Sequence, residues 1–162
     1  MKSNIIGLSI LLIATLTYAF DKTISVLDFE LTDTTIKIND VQEKIRTQSI
    51  QPLLAQALTK LGYKIIPVDH QLQNKANQGV GYLQSHPDVV AELGRKIGVD
   101  YVIVGRLHKP SYLFAYIIAR VIDVKQTKLI ARHVVEAKGR SMQATQKSIP
   151  NLAMKIVQTI QN

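Results

Sequence analysis

The chain has 162 residues, a formal net charge of +8 and no cysteine. The absence of cysteine excludes disulfide frameworks, thiolate metal sites and cysteine nucleophiles, so we expect stability to come from a packed core. The basic charge favours acidic partners such as glycans, phospholipid head groups or acidic proteins. We expect no nucleic-acid partner, because the sequence contains no recognisable nucleic-acid-binding module.

Residues 1–19 have the pattern of a secretory signal peptide. Lys2 carries the positive charge, residues 5–16 form an uncharged apolar segment, and Ala19 is the small residue before the cleavage point. The apolar segment is shorter than the ~20 residues of a membrane-spanning helix. We therefore predict an exported, periplasmic mature chain without a transmembrane segment, folded as one domain over residues 20–162.

The first half of the mature chain alternates strands with helices. Residues 23–31 are apolar and β-branched, which predicts a buried central strand. A helix is expected to start at Ser49, with Pro52 in its first turn, and a strand over 63–69 is placed near a sheet edge by Pro67.

A long polar segment follows this edge strand. Residues 70–84 contain two glycines and show no period, which predicts a functional or mobile loop. Ser85 and Asp88 resemble a capping box at the start of the next helix, and Gly98 ends that helix.

The second half predicts three consecutive strands and a terminal helix. The strands cover 99–109, 112–124 and 129–139 and should form an antiparallel meander. The helix begins at Ser141 or at Ser148, depending on whether Pro150 lies in its interior or in its first turn. The predicted fold class is α/β (α+β), with the order β-α-β-α-β-β-β-α and helices packed on one mixed sheet.

Three stretches of the sequence carry a family resemblance. They are VLDFELTDT (26–34), GYLQSHPDVVAELGRKIGVDYVIVGRLHKPSYLF (81–114) and VIDVKQTKLI (121–130). They resemble a family of secreted bacterial proteins of unknown function, across nearly the whole mature chain. The stretches ISVLDFE and AELGRKIGVDYVIVG, with a helix ending in Leu-Gly-Tyr between them, are also similar to the amino-terminal domain of TolB, the curli secretion protein and outer-membrane activators of penicillin-binding proteins.

The second resemblance implies a periplasmic module that docks to other envelope proteins. It brings no catalytic residues to this chain. The lipoprotein members of that group have a lipid-attachment cysteine, which this sequence lacks. Membrane anchoring of that kind is therefore not expected.

Acidic residues cluster near the end of the first predicted strand. Asp28 and Glu30 lie two residues apart, and Asp33 follows shortly after. Ligands often bind outside such strand ends in open α/β sheets, so the three carboxylates are candidates for holding a cation or a cationic ligand. The alternative is that they cap a loop or pair with Arg106 or Arg120 inside the fold.

The hairpin around residues 104–116 combines basic and aromatic residues. Alternation along the strand places Arg106 and His108 on one face and Lys109 on the other. Aromatic anchors beside basic charges are typical of surfaces that hold an acidic or peptide partner. The alternative is a solvated turn above a core row of aromatic residues. The predicted partner-binding residues are Arg106, His108, Lys109, Tyr112, Phe114 and Arg120.

The sequence contains no recognisable catalytic or cofactor motif. The histidines lack metal-site spacing, and no nucleophile elbow or phosphate-binding glycine loop occurs, so we predict no enzyme activity, no cofactor and no metal. The leading hypothesis is a non-enzymatic periplasmic accessory protein that binds an envelope protein or complex through residues 106–116, with the 70–84 segment as a further contact. The alternative is a periplasmic carrier or sensor of a small anionic ligand, held between that segment and the strand ends.

Overall fold

The structure is a computed structural model that describes residues 22–35, 40–139 and 141–162. These residues contain six strands and five helices. The strands are β1 (Thr23–Val26), β2 (Glu30–Asp33), β3 (Lys64–Ile65), β4 (Tyr101–Lys109), β5 (Tyr116–Asp123) and β6 (Lys128–Glu136). The helices are α1 (Val41–Lys60), α2 (His70–Ala76), α3 (Tyr82–Ser85), α4 (Pro87–Ile97) and α5 (Met142–Gln161). The predicted signal peptide lies outside the described residues.

All six strands join one mixed sheet, which confirms the predicted fold class. The strand order is β3-β1-β4-β5-β6, and β2 also pairs with β4. The pairs that involve β1 and β2 are parallel, whereas β4, β5 and β6 form the expected antiparallel meander. The strand predicted over 63–69 is limited to β3, which ends before Pro67, and it lies at the edge of the sheet as expected.

The first predicted strand is divided into two. β1 pairs with the beginning of β4 and β2 with its end, so the two strands follow one another along the same edge of β4. Between them, Leu27 still donates its N–H to the carbonyl of Ile103, at 2.9 Å. Leu27 packs in the core under α4, whereas Phe29 packs on the other side of the sheet. The prediction of one continuous strand over 23–31 is therefore wrong.

The sheet has a core on each face. On one face, α1 and α5 pack against the sheet through residues such as Leu54, Leu58 and Ile156. On the other face, α3 and α4 cover a smaller core, to which Leu83 and Leu93 belong. The predicted apolar stripe of the second helix is confirmed, because Val89, Val90, Leu93 and Ile97 all belong to this second core or pack against it.

α1 differs from its predicted bounds at the amino-terminal end, whereas α5 agrees with one of its two predicted starts. α1 begins at Val41 after Asp40, whose side chain accepts from Gln42 N, so Pro52 lies inside the helix and not in its first turn. In α5, the side chain of Ser141 accepts from Ala144 N, and the helix continues through Pro150. The alternative start at Ser148 is thus excluded.

The segment predicted as a loop contains α2 and α3. Asp69 caps α2 by accepting from Gln71 N, which favours a helix despite the polar composition. The capping box at Ser85 is wrong, since its hydroxyl donates to the carbonyl of Gly81 and the residue before α4 is His86. Within the described ranges, no helix is long and apolar enough to cross a bilayer.

Candidate functional site

The structure divides the predicted partner-binding residues among three places. Tyr112 and Phe114 lie in the connection between β4 and β5 and are exposed. Lys109 points to the face of the sheet covered by α1. Arg106, His108 and Arg120 lie on the opposite face, beyond the core under α4. The basic and aromatic residues therefore do not form one cluster.

Lys109 is a buried structural cation and not a surface charge. Its side chain is 1% exposed, and its Nζ lies 3.2 Å from both Asp33 Oδ2 and Glu43 Oε1. The expectation that Lys109 contributes to an exposed basic patch is therefore wrong. Side chains alternate between the two faces along β4, so Lys109 points to the face opposite to Arg106. On that face, which α1 covers, the carboxylates of Asp33 and Glu43 bind its ammonium group.

Arg46 completes this buried network from the first turns of α1. Its Nη1 donates to Glu43 Oε2 at 3.3 Å and to the carbonyl of Gly139 at 2.9 Å, while Nη2 donates to the carbonyl of Ala137 and Nε to Thr145 Oγ1. Burial lowers the pKa of the guanidinium, and Glu43 opposes that effect. The sequence gives one local signal for these two residues, their spacing of three, which is that of a helical ion pair.

The acidic residues near β1 and β2 have separate partners. Asp28 pairs with His70, while Glu30 accepts from Gly81 N at 2.8 Å. Asp33 accepts from the backbone and hydroxyl of Thr35 and from the ammonium of Lys109.

These separate partners do not support the predicted cation site. Alternation along β2 places Glu30 and Asp33 on opposite faces of the sheet, so the three carboxylates do not converge. No group of three or more histidines and carboxylates in the described ranges has the arrangement of a metal site. Asp33 fits the alternative, in which the acidic residues cap a loop or pair inside the fold. Its basic partner is Lys109, however, and not Arg106 or Arg120.

The loop at 110–115 has exposed apolar side chains, and hydrogen bonds hold its backbone in place. Tyr112, Leu113 and Phe114 are 41%, 73% and 46% exposed. The N–H of Phe114 donates to Ser111 Oγ, the carbonyl of Leu113 accepts from Gly139 N at 3.2 Å, and Ala137 N donates to the carbonyl of Ala115 at 2.8 Å.

Tyr112 also interacts with Lys109 of the buried network. The Nζ of Lys109 lies 5.7 Å from the centre of the Tyr112 ring, within the range of a cation–π interaction. The prediction that residues 112–114 belong to a strand is wrong, because β5 begins at Tyr116. Their exposure agrees with a surface role and does not support a core aromatic row.

Three arginines lie on the face of the sheet opposite to Lys109. Arg120 and Arg132 are directly opposite each other on β5 and β6, and Arg106 on β4 is the partner of the residue two positions before Arg120. Burial lowers the pKa of Arg120, and repulsion from Arg132 and Arg106 lowers it further. We call Arg106, Arg120 and Arg132 the arginine row. Arg132 was not among the sequence-predicted residues, because its position opposite Arg120 depends on the register of β6.

A known family of proteins matches most of the chain. A family model described as "Protein of unknown function (DUF2380)" matches residues 22–156. No curated protein sequence matches the chain. The match confirms the predicted membership of a family of unknown function.

Several solved structures are similar to this chain. The PelC dodecamer from Paraburkholderia phytofirmans is 14% identical, with 82% of this chain and 84% of that chain covered and a TM-score of 0.53. Lipoprotein GNA1162 from Neisseria meningitidis is 15% identical, with 86% and 96% covered and a TM-score of 0.54. TolB from Acinetobacter baumannii is 14% identical, with 86% of this chain but 28% of TolB covered and a TM-score of 0.52. At these identities the likeness concerns the fold, and it confirms the predicted resemblance to part of TolB.

Proposed function

The chain belongs to the DUF3280 family, whose description assigns no activity, and from its own geometry we propose that it is a non-enzymatic exported accessory protein that binds a protein of the bacterial envelope. The observation that carries the proposal is the exposed apolar loop at 110–115. Contiguous exposed apolar side chains on a protein surface mark interaction sites.

The loop is suited to binding because its backbone is already ordered. Gly139 and Ala137 donate backbone hydrogen bonds to the carbonyls of Leu113 and Ala115, and Lys109 supports the Tyr112 ring. A preorganised loop loses little conformational entropy when a partner binds. Tyr112 and Phe114 can therefore act as aromatic anchors, with Leu113 as the most exposed apolar group between them.

The first turns of α1 also carry exposed apolar residues. Glu43 in the first turn of α1 is bonded to Lys109, which lies under Tyr112, so the first turns of α1 and the loop are at the same end of the molecule. Val41 and Ile45 on these turns are exposed apolar residues. A partner with an apolar pocket could contact both elements.

Charge and fold support the same proposal. The net charge of +8, or +7 without Lys2 of the predicted signal peptide, favours an acidic rim on the partner and faster association with it. The TolB resemblance implies a periplasmic docking module, and GNA1162, which has a similar fold, is a lipoprotein. PelC, a third protein with this fold, forms a dodecamer, so protein contacts are compatible with this architecture.

A cross-linking experiment tests the proposal. A photoreactive amino acid replaces Leu113 in the protein expressed in its own envelope, and the same amino acid replaces Met154 on α5 as the control, because Met154 is also an exposed apolar residue. We expect a discrete cross-linked product from position 113 and none from position 154. The additional substitution Phe114→Ser should strongly reduce that product, since it removes an anchor.

The outcome also separates two kinds of partner. Mass spectrometry of the product identifies either another envelope protein or a second copy of this chain. Another envelope protein supports the proposal, whereas a second copy would replace it with self-association through the loop. Equal cross-linking from both positions, or none from position 113, would overturn it.

A further inference from the structure

The arginine row places three positive charges together without a matching set of negative charges. Side chains directly opposite on antiparallel strands start about 5 Å apart, and like charges in such a pair are destabilising. No carboxylate of the described chain lies within ion-pair distance of Arg106, Arg120 or Arg132. The fold therefore maintains a local excess of positive charge on this face.

The acidic residues on the same face do not compensate for this charge. Glu30 is the neighbour of Arg106 in the β2–β4 pair, but its carboxylate accepts from Gly81 N and from Asn77 Nδ2. Glu136 lies further along β6, and its carboxylate is 3.9 Å from Lys138. Neither carboxylate forms an ion pair with the row.

A small cavity of about 220 Å³ adjoins the row at Arg120. Its wall includes Gln84 from α3 and Ile122 from β5. Gln84 is only 5% exposed, and neither its Nε2 nor its Oε1 has a hydrogen-bond partner in the described chain. A buried amide without partners is costly, so its position in the wall of this cavity points to a ligand that supplies them.

Two further buried nitrogen atoms on this face have no partner. They are Arg106 Nε and His108 Nδ1, neither of which makes a hydrogen bond within the described ranges. Both residues belong to β4 and share the face of the arginine row. Unsatisfied groups thus occur on β4, which pairs with the strand of Arg120, and on α3, which shares the cavity wall with Arg120.

We propose that the arginine row and Gln84 form a binding site for a small oxyanion with at least two negative charges, of the phosphate or polycarboxylate class. Guanidinium groups bind both kinds of oxyanion in bidentate geometry. The Gln84 amide donates through Nε2 to an anionic oxygen and accepts through Oε1 from a hydroxyl of the ligand. Hydrogenphosphate and citrate each carry such a hydroxyl beside their charged oxygens. The site is separate from the loop at 110–115 and does not depend on the proposed docking function.

Calorimetric titration of the purified protein with inorganic phosphate and, separately, with citrate tests the site. Ionic strength is kept constant with chloride, so that general screening does not differ between titrations. We expect saturable binding at one site. Arg120→Gln should weaken binding roughly tenfold or more, because it removes a positive charge together with its hydrogen bonds, and Gln84→Met roughly two- to tenfold, because it removes hydrogen bonds made by an uncharged amide.

The controls distinguish a site from a merely basic surface. Lys125→Gln removes the same charge from the exposed β5–β6 turn, and its affinity should stay within about twofold of the native protein, since exposed charges contribute little at a distance. Arg132→Gln, at a more exposed position, replaces Arg120→Gln if the latter unfolds. The double variant Leu113→Ser, Phe114→Ser should bind the anion as the native protein does.

The two titrations also identify the ligand class. Binding of phosphate alone assigns a phosphate ligand, binding of citrate alone assigns a polycarboxylate, and binding of both supports the broader oxyanion class. The inference is overturned if neither anion binds at millimolar concentration. It is also overturned if the arginine variants and Lys125→Gln bind with equal affinity.

Discussion

Lys109 and Glu43 form an ion pair inside the protein, with 3.2 Å between Nζ and Oε1 and both side chains 1% exposed. Asp33 binds the same ammonium, and Arg46 binds the other oxygen of Glu43. The charges thus alternate in sign along a chain of four residues that links β2, β4 and α1. Because water is excluded, each charge depends on its neighbours for compensation.

We predict that Lys109→Met strongly destabilises the fold. The substitution leaves the carboxylates of Asp33 and Glu43 buried together without their shared cation, and breaking a buried pair in this way costs about 3–5 kcal/mol. The free energy of unfolding from urea denaturation measures the loss. Lys96→Met is the matched control, because its ion pair with Glu92 is exposed and should contribute little to stability. Equal stability of the two variants would contradict this role of Lys109.

Asp33 should make the stability of the protein depend on acidic pH. Burial raises the pKa of this carboxyl, but hydrogen bonds from Thr35 and the Lys109 ammonium outweigh burial and lower the pKa overall. A lowered folded-state pKa stabilises the protein above the unfolded value of about 3.9, and that contribution is lost as pH falls through the folded value.

Removing one of these hydrogen bonds should shift the acid transition. Thr35→Val deletes the hydroxyl donor, raises the folded pKa of Asp33 and moves the midpoint of acid unfolding to higher pH. Circular dichroism as a function of pH measures that midpoint. Thr59→Val is the control, since Thr59 donates within α1 and not to a carboxylate. Identical midpoints for both variants would exclude Asp33 as the titrating group.

The regular elements were predictable because their patterns are local. The apolar stripe of α4 and the apolar runs of β4 and β5 depend on neighbouring residues, and they pack as their spacing indicates. The beginning of α1 was missed because Glu43 and Arg46 occupy buried positions that usually hold apolar residues. Their burial depends on partners far away in sequence, so a periodic pattern of apolar residues cannot reveal it.

The candidate sites were less predictable for the same reason. Pro110 and Ser111 break the strand and predict a turn next to Tyr112 and Phe114, but the local pattern left open whether these side chains are exposed or packed in the core. The environment of Lys109 depends on Asp33, which is 76 residues away. The position of Arg132 opposite Arg120 depends on a register that includes an irregularity between Val121 and Ile122. Such long-range pairings set which charges meet, and local sequence does not contain them.

Gly105 is the position on β4 where we predict that one methyl group disrupts the fold. A Cβ there would lie 2.2 Å from Phe29 Cε1 and 2.7 Å from the backbone oxygen of Ile118. Overpacking of this kind costs about 1–3 kcal/mol, and the backbone contact cannot move aside as a side chain can. Urea denaturation of Gly105→Ala measures the cost. Phe29→Leu in the same chain should relieve only part of it; complete relief would show that the backbone contact is unimportant.

Leu93 is the test of packing on the α4 side of the sheet. It is buried in the second core, so Leu93→Ala should reduce the free energy of unfolding by about 2–5 kcal/mol through lost apolar contact and a residual cavity. Denaturant melts provide the measurement. Glu92→Ala, at the exposed neighbouring position, should leave stability nearly unchanged. A neutral Leu93→Ala would mean that α4 does not pack as described.

Two buried glutamines provide an internal comparison for the anion site. The side-chain amide of Gln84 has no hydrogen-bond partner among the described residues, whereas that of Gln73 accepts from Asp28 N at 3.0 Å and donates to the carbonyl of Asp28 at 3.2 Å. Replacing an unpartnered buried amide by an apolar side chain of similar length removes a desolvation cost, so Gln84→Met should stabilise the ligand-free protein by about 1 kcal/mol. Gln73→Met should instead destabilise it by about 1–3 kcal/mol, because Asp28 loses its partners. Thermal denaturation in phosphate-free buffer measures both variants. If Gln84→Met destabilises the protein as much as Gln73→Met, the Gln84 amide already stabilises the ligand-free fold. Its hydrogen-bonding groups then do not need a ligand to supply their partners.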